Sequence, residues 1–249
     1  LNETSVSEQT QFINKNIENI SSCKVTTLFR IMIPNSIFLS IFAAINLEIR
    51  SSIEIYMITR ISQAIATSIE VKQSVLAAPA LLQRVEHAAS FMCTALRAGG
   101  KVHFCGNGGS AADAQHLAAE LSGRFYYDRP PLNAEALHCN SSYLTAVAND
   151  YGYDEVYARL LRGTARSGDV LVALSTSGNS TNILNACRAA REMDMHIVGL
   201  TGATGGKMAE YCDVRPNVPS PEPPRIQEWH IMLGHILCEM VEAELFPQP

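Results

Sequence analysis

The hydrophobic rhythm of the chain changes near residue 100. Residues 57–98 alternate apolar and polar positions at helical spacing and contain no glycine. This pattern predicts two helices, 57–71 and 75–98, broken at Val71-Lys72-Gln73-Ser74, with Gly99 or Gly100 suited to the left-handed cap of the second. After that the apolar runs shorten. "KVHFCG", "LNAEAL", "DVLVALS", "HIVGLTG" and "DVRPNV" are apolar or alternating, and each meets a Gly, Pro, Asp or Ser signal. Helical patterns fall between and after them, at 110–123, 141–149, 153–163, 180–193, 205–210 and 224–246. Strands alternating with helices predict an α/β fold, a parallel sheet covered on both faces. Such sheets bind ligands beyond the carboxyl ends of their strands, so the loops that follow the strands are the place to look.

Two of those loops are rich in glycine and hydroxyls, and both lead into helices: Gly106-Asn107-Gly108-Gly109-Ser110 and Ser175-Thr176-Ser177-Gly178-Asn179-Ser180. Free N–H groups at a helix start bind anions, and hydroxyls add directed donors. Four hydroxyls with Gly178 in six residues suit a phosphomonoester. No lysine follows in the nucleotide P-loop position. The plainer reading makes Ser180 an ordinary N-cap.

The helix after the first loop carries His116 and Glu120, one turn apart and therefore on one face. A histidine and a carboxylate at that spacing are either two metal ligands or a surface pair. The last helical pattern is mostly apolar, yet it holds Gln227, Glu228, His230 and His235. At 100° per residue, Gln227 and His235 differ by ~80° and His230 and His235 by ~140°, so the two histidines do not share one small site. His235 lies among Leu233, Ile236 and Leu237, a setting where a buried histidine needs a partner. Trp229 reads as a packing or interface aromatic.

Composition narrows the class. The formal net charge is −5, so nothing marks a nucleic-acid footprint. The seven cysteines include no CxxC pair, which fits reduced thiols and a cytoplasmic address. All 15 glycines lie at or after Gly99, and residues 1–56 are rich in Ile, Asn and Ser with two alanines, Ala43 and Ala44. The chain starts with Leu1, and this break suggests that 1–56 is an extension upstream of a natural start at Met57. Within it, residues 31–49 are apolar but interrupted by Pro34, Asn35, Asn46 and Glu48, leaving a clean run far below the ~20 residues of a membrane span. A dispensable extension, a helix packed on the core and a targeting segment are the three readings of 1–56.

Residues 57–249 resemble the sedoheptulose 7-phosphate isomerases (phosphoheptose isomerases) of the sugar-isomerase (SIS) domain superfamily. The blocks that carry the resemblance are "CGNGGSAADAQHLAAELSGRF", "LTAVANDYGYDEVY", "GDVLVALSTSGNS", "GLTGATGGKM" and "RIQEWHIMLGHILCE". The resemblance implies a five-stranded parallel sheet sandwiched by helices, a flavodoxin-like three-layer fold with a helical N-terminal hairpin. It implies a homotetramer with interfacial active sites, and one zinc ion per subunit on His116, Glu120, Gln227 and His235. By the same resemblance, Asn107, Gly108, Gly109, Asn149, Asp150, Glu120 and Gln227 meet the sugar, and Ser175, Thr176, Ser177 and Ser180 hold its phosphate. Arg124 matches an arginine near the active site. Pro224 stands where some members have an aspartate, so one sugar contact is missing there or supplied elsewhere.

The implied reaction is the conversion of sedoheptulose 7-phosphate to a heptose 7-phosphate through an enediol, for surface heptose polymers. Glu120 would be the base and His235 a proton shuttle. A competing class is a non-catalytic relative that shares the fold and binds the replication initiator. Another phosphosugar isomerase or a sugar-phosphate sensor is the remaining alternative. Neither nucleic acid nor membrane is an expected partner.

Overall fold

The protein is described by a computed structural model covering residues 34–248, with a few side chains near Asn35 set aside. The reading of residues 1–33 and the thiol of Cys23 lie outside the described residues. The chain divides into two units, 1–64 and 65–249. Helix α1, Asn35–Leu76, supplies the described part of the first unit apart from Pro34 and runs on into the second.

Two sequence expectations are corrected here. Met57 is not an element boundary, and Val71–Ser74 is not a break, because both lie inside α1. Nothing between Asn35 and Ala78 is a glycine or proline, so no local signal stops the helix. The break comes at Pro79, the first residue of α2 (Pro79–Arg97). Ala78 before it leaves helical geometry at φ −113° and ψ 84°, as the residue preceding a proline tends to. Gly99 then takes φ +76°, as expected of a residue just past a helix end. Among the described residues, no helix is long and apolar enough to cross a membrane.

The second unit is built on strands β1 (Val102–Cys105), β2 (Ala134–Ala136), β3 (Val170–Ser175) and β4 (His196–Thr201). They pair in parallel, in the order β2-β1-β3-β4. The expected fifth strand, at Asp213–Val218, is reduced to a single bridge between Val198 and Val214. Backbone bonds still tie the segment to β4, from Asp213 to Ile197 at 2.9 Å and from Val218 to Thr201 at 2.9 Å. Pro216 between them has no N–H to donate, so the ladder cannot run through.

Helices α3 (Gly109–Ser122), α4 (Ser141–Tyr151), α5 (Val156–Thr164), α6 (Thr181–Glu192) and α7 (Pro223–Leu245) complete the unit. Short 3₁₀ turns occupy Tyr153–Glu155 and Gly206–Glu210, where helices were expected. The sheet is buried on both sides. Val170, Val172 and Leu174 of β3 face one core with Phe104, Leu117, Trp229 and Leu233. Leu171 and Ala173 face the other with Tyr157, Leu161, Ile183 and Ala186. That alternation is the two-residue period of a strand. Trp229, 4 % exposed, is therefore a packing residue.

One contact in the first core sets the site. A Cβ on Gly234 of α7 would stand 2.3 Å from the Leu117 side chain of α3. Glycine lets the two helices close at this point, and the next residue on α7 is His235.

Candidate metal and sugar-phosphate site

Helices α3 and α7 run side by side, with Gly109 against Gln227, His116 against His235, and Phe125 just past α3 bonded to Glu242. His116 Nε2 lies 2.9 Å from His235 Nε2 and 3.3 Å from Glu120 Oε1. One donor atom from each of the three residues falls within 4.8 Å of the others. Residues more than 100 positions apart thus converge as the metal reading requires. The surface-pair reading of His116 and Glu120 does not by itself account for a second imidazole facing the first. Two imidazoles and a carboxylate with a side open to solvent match the donor set and the open position of a catalytic zinc site. Gln227 lies on the same pair of helices, but its amide oxygen rests over Gly109, 2.8 Å from where a Cβ would stand.

The burial expected of His235 belongs to His230 instead. His235 is half-buried and has His116 as its partner. His230 is fully buried, and burial pushes its pKa down to about 4 against an opposing pull from the Thr201 backbone. It is a neutral core residue on another face of α7.

The hydroxyl-rich loop expected to hold the phosphate follows β3. Ser180 sits at the N-cap of α6 with extended backbone, φ −64° and ψ 122°, yet its hydroxyl makes no capping bond. Its Oγ lies 3.5 Å from Ser175 Oγ. Ser175 Oγ accepts the Gly178 N–H at 3.1 Å, and Ser177 Oγ accepts the Asn179 N–H at 3.1 Å. Gly178 has φ +64°, and a Cβ there would stand 2.0 Å from the Gly205 carbonyl oxygen. The loop is folded tightly, and it leaves a serine hydroxyl and the helix N-terminus uncommitted to each other. A plain cap would have used that hydroxyl. Thr176 is half-buried in the same loop, between Ser175 and the exposed Ser177.

The loop after β1 leads to Asn107, whose amide makes two 2.8 Å bonds with the amide of Asn182, in the first turn of α6. Gly108 takes φ +56° before α3 begins. The first and second loops are thus joined directly. Asn149 and Asp150 are exposed near the end of α4 and bond to each other at 2.9 Å. Tyr153, three residues beyond Asp150, donates its hydroxyl to Asn107 Oδ1 at 3.3 Å. Arg124 is exposed, beside Phe125, whose ring centre lies 5.9 Å from that of His235. Pro224, with Pro223, starts α7, and the following Arg225 pairs with Glu228 at 3.0 Å.

Three features escaped the sequence reading. Asn182 and Tyr153 are the first two. The third is Asp113, one turn before His116, whose Oδ2 is buried without a hydrogen-bond partner. Burial raises its pKa, and the neighbouring His116 and His235 oppose that rise. The available signal was the spacing Asp113, His116, Glu120 along one face of α3.

Comparison with known proteins identifies the family. The SIS domain family profile matches residues 68–202. A phosphoheptose isomerase of Rhodospirillum rubrum is 59 % identical over 161 residues, which is 65 % of this chain and 86 % of the relative. The solved phosphoheptose isomerase of Neisseria gonorrhoeae is 46 % identical with a TM-score of 0.69, and that of Francisella tularensis is 35 % identical with a TM-score of 0.71. Each spans 74 % of this chain and 97 % of its own. With its parallel sheet, its hydroxyl-rich loop and its paired helices, the chain belongs to the phosphoheptose isomerase family of SIS-domain proteins.

Proposed function

We propose that the chain isomerises sedoheptulose 7-phosphate to D-glycero-D-manno-heptose 7-phosphate, an aldose–ketose isomerisation that feeds surface heptose synthesis. The observation that carries this reading is the convergence of His116, Glu120 and His235 on two helices packed at the ligand edge of the sheet. The phosphate would sit on Ser175, Thr176, Ser177 and Ser180 at the start of α6, where the Ser180 hydroxyl is not spent on the helix. The sugar would lie across Asn107-Gly108-Gly109, with Asn149 and Asp150 at its margin. Arg124 would lie close by. The initiator-binding alternative offers no reason for these three side chains to meet.

Isomerisation moves a proton between C1 and C2 of the sugar. Glu120 takes the proton from the carbon and leaves an enediol, and the same carboxyl returns it to the neighbouring carbon. His235 exchanges a proton with the sugar oxygens. His116, Glu120 and His235 would hold a zinc ion, with Gln227 as the fourth ligand after its amide turns from Gly109. When bound, the ion supplies Lewis acidity to the sugar carbonyl. The proposal extends to a homotetramer with active sites at subunit interfaces and to the cytoplasm.

The test is an assay of the purified chain with sedoheptulose 7-phosphate, after chelation and after zinc is restored. Aldose phosphate should form with zinc and cease without it. No turnover in the zinc-loaded protein would remove the proposal.

A further inference from the structure

Asn107 is the residue of the first loop with the most constrained side chain. A primary amide has two N–H donors and a carbonyl oxygen with two acceptor sites. Asn107 Nδ2 donates to Asn182 Oδ1 at 2.8 Å, and Asn182 Nδ2 donates back to Asn107 Oδ1 at 2.8 Å. The Tyr153 hydroxyl donates to the same Oδ1 at 3.3 Å. Both acceptor sites and one N–H are then occupied. One N–H of Asn107 remains.

The two partners are themselves held. Asn182 is 3 % exposed, two residues past Ser180 in the first turn of α6. Tyr153 opens the 3₁₀ turn, and Asn185 of α6 donates to the Asp154 carbonyl at 3.0 Å and to Glu155 Oε1 at 3.0 Å within that turn. Helix α6 therefore carries Asn182 and anchors the turn that carries Tyr153. It is also the helix whose N-terminus forms the phosphate loop.

We infer that Asn182 and Tyr153 are positioning residues that hold the Asn107 side chain in place for its contact with the sugar. Each side of the amide pair can donate or accept, so what the two partners fix is the place of the side chain, and one amide site is left for a carbonyl or hydroxyl of the phosphosugar. Without them the side chain is free to swing away from that place. The inference rests on the isomerase reading, because it takes Asn107 as a sugar contact. It also ties the sugar loop to the phosphate loop through α6.

The experiment is a pair of double-mutant cycles in kcat/KM on sedoheptulose 7-phosphate, using the zinc-loaded full chain. Asn182→Ala should lower kcat/KM about tenfold and Tyr153→Phe about threefold, the latter with an unchanged melting curve, since Tyr153 is 48 % exposed. In an Asn107→Ala background both losses should vanish, since the group they orient is gone. A merely structural role would persist in that background. Losses of equal size with and without Asn107 overturn the inference, and so do two variants with wild-type kcat/KM. If Asn182→Ala does not fold, the Tyr153→Phe cycle decides alone by the same two criteria. An inactive wild-type chain overturns the isomerase reading and this inference with it, whereas an active wild type with indifferent variants overturns the inference only.

Discussion

Glu120 and His230 separate chemistry from packing at the scale of single residues. Glu120 stands 3.3 Å from His116 in a half-exposed cluster, where a carboxylate can reach a substrate. Glu120→Gln keeps the size and an oxygen but removes the base. Turnover should fall by about 10²–10⁴-fold, the usual contribution of a positioned base, while the melting temperature stays near that of the parent. His230→Gln should do the reverse. Burial already holds that imidazole neutral, with a pKa of about 4, so it has no proton to trade near neutrality. A flexible primary amide in that fully buried place fits the ring-shaped space poorly and brings polar atoms that need partners, so stability drops and kcat is preserved. Steady-state kinetics and thermal melts on both variants check the pair. An active Glu120→Gln, or a His230→Gln that folds normally but does not turn over, refutes the assignment.

At the scale of elements, α3 and α7 are held together beyond the site by a buried clamp. Glu242 of α7 accepts the N–H groups of Phe125 at 3.0 Å and Tyr126 at 2.7 Å, and Arg129 Nε at 2.9 Å. Burial pushes the Glu242 pKa up, but those bonds and the guanidinium charge outweigh it, and the net shift is downward. A carboxyl depressed in the fold stabilises it above its unfolded pKa, near 4.5, and that stability is lost as pH falls through the lower folded value. Thermal melts from pH 7 to pH 3 should therefore show a decline below about pH 4.5 that Glu242→Gln largely removes. The same variant should cost roughly 3–5 kcal/mol at neutral pH, because it leaves Arg129 buried without its charge partner. An unchanged melting temperature at pH 7 contradicts the clamp. This clamp was invisible in the sequence, because Arg129 and Glu242 sit in unrelated segments with no motif between them. The strands, the two glycine- and hydroxyl-rich loops and the His116–Glu120 face were legible, because period and glycine placement are local properties. The break at Pro79 was legible too, but the helical signal at Val71–Ser74 was misread, since β-branched and polar residues weaken a helix without ending it. The fifth strand failed for the opposite reason: Pro216 was in view, and its missing N–H forbids a continuous ladder.

The distribution of apolar surface divides the whole molecule at α1. Of the eighteen exposed large hydrophobic residues described, fourteen lie on this helix, from Ile37 to Leu76. They recur around its circumference rather than along one stripe, and among the described side chains of residues 34–64 none is buried. Both cores of the second unit, by contrast, are assembled wholly from Val75 and residues beyond it, with Val71 packed at the margin. The family profile also begins only at residue 68. We propose on these grounds that residues 1–56 are dispensable for the fold and for turnover. A chain beginning at Met57 removes eight of the fourteen exposed hydrophobics, Ile37 through Tyr56, and no core residue. Exposed apolar area of that extent favours association. The shortened chain should match the full chain in kcat and in melting temperature, and it should scatter less light at equal concentration. Its particle mass, from light scattering, should be the tetramer expected of the domain. An insoluble or inactive shortened chain beside a working full chain would show that the segment before Met57 is needed, and would overturn the proposal.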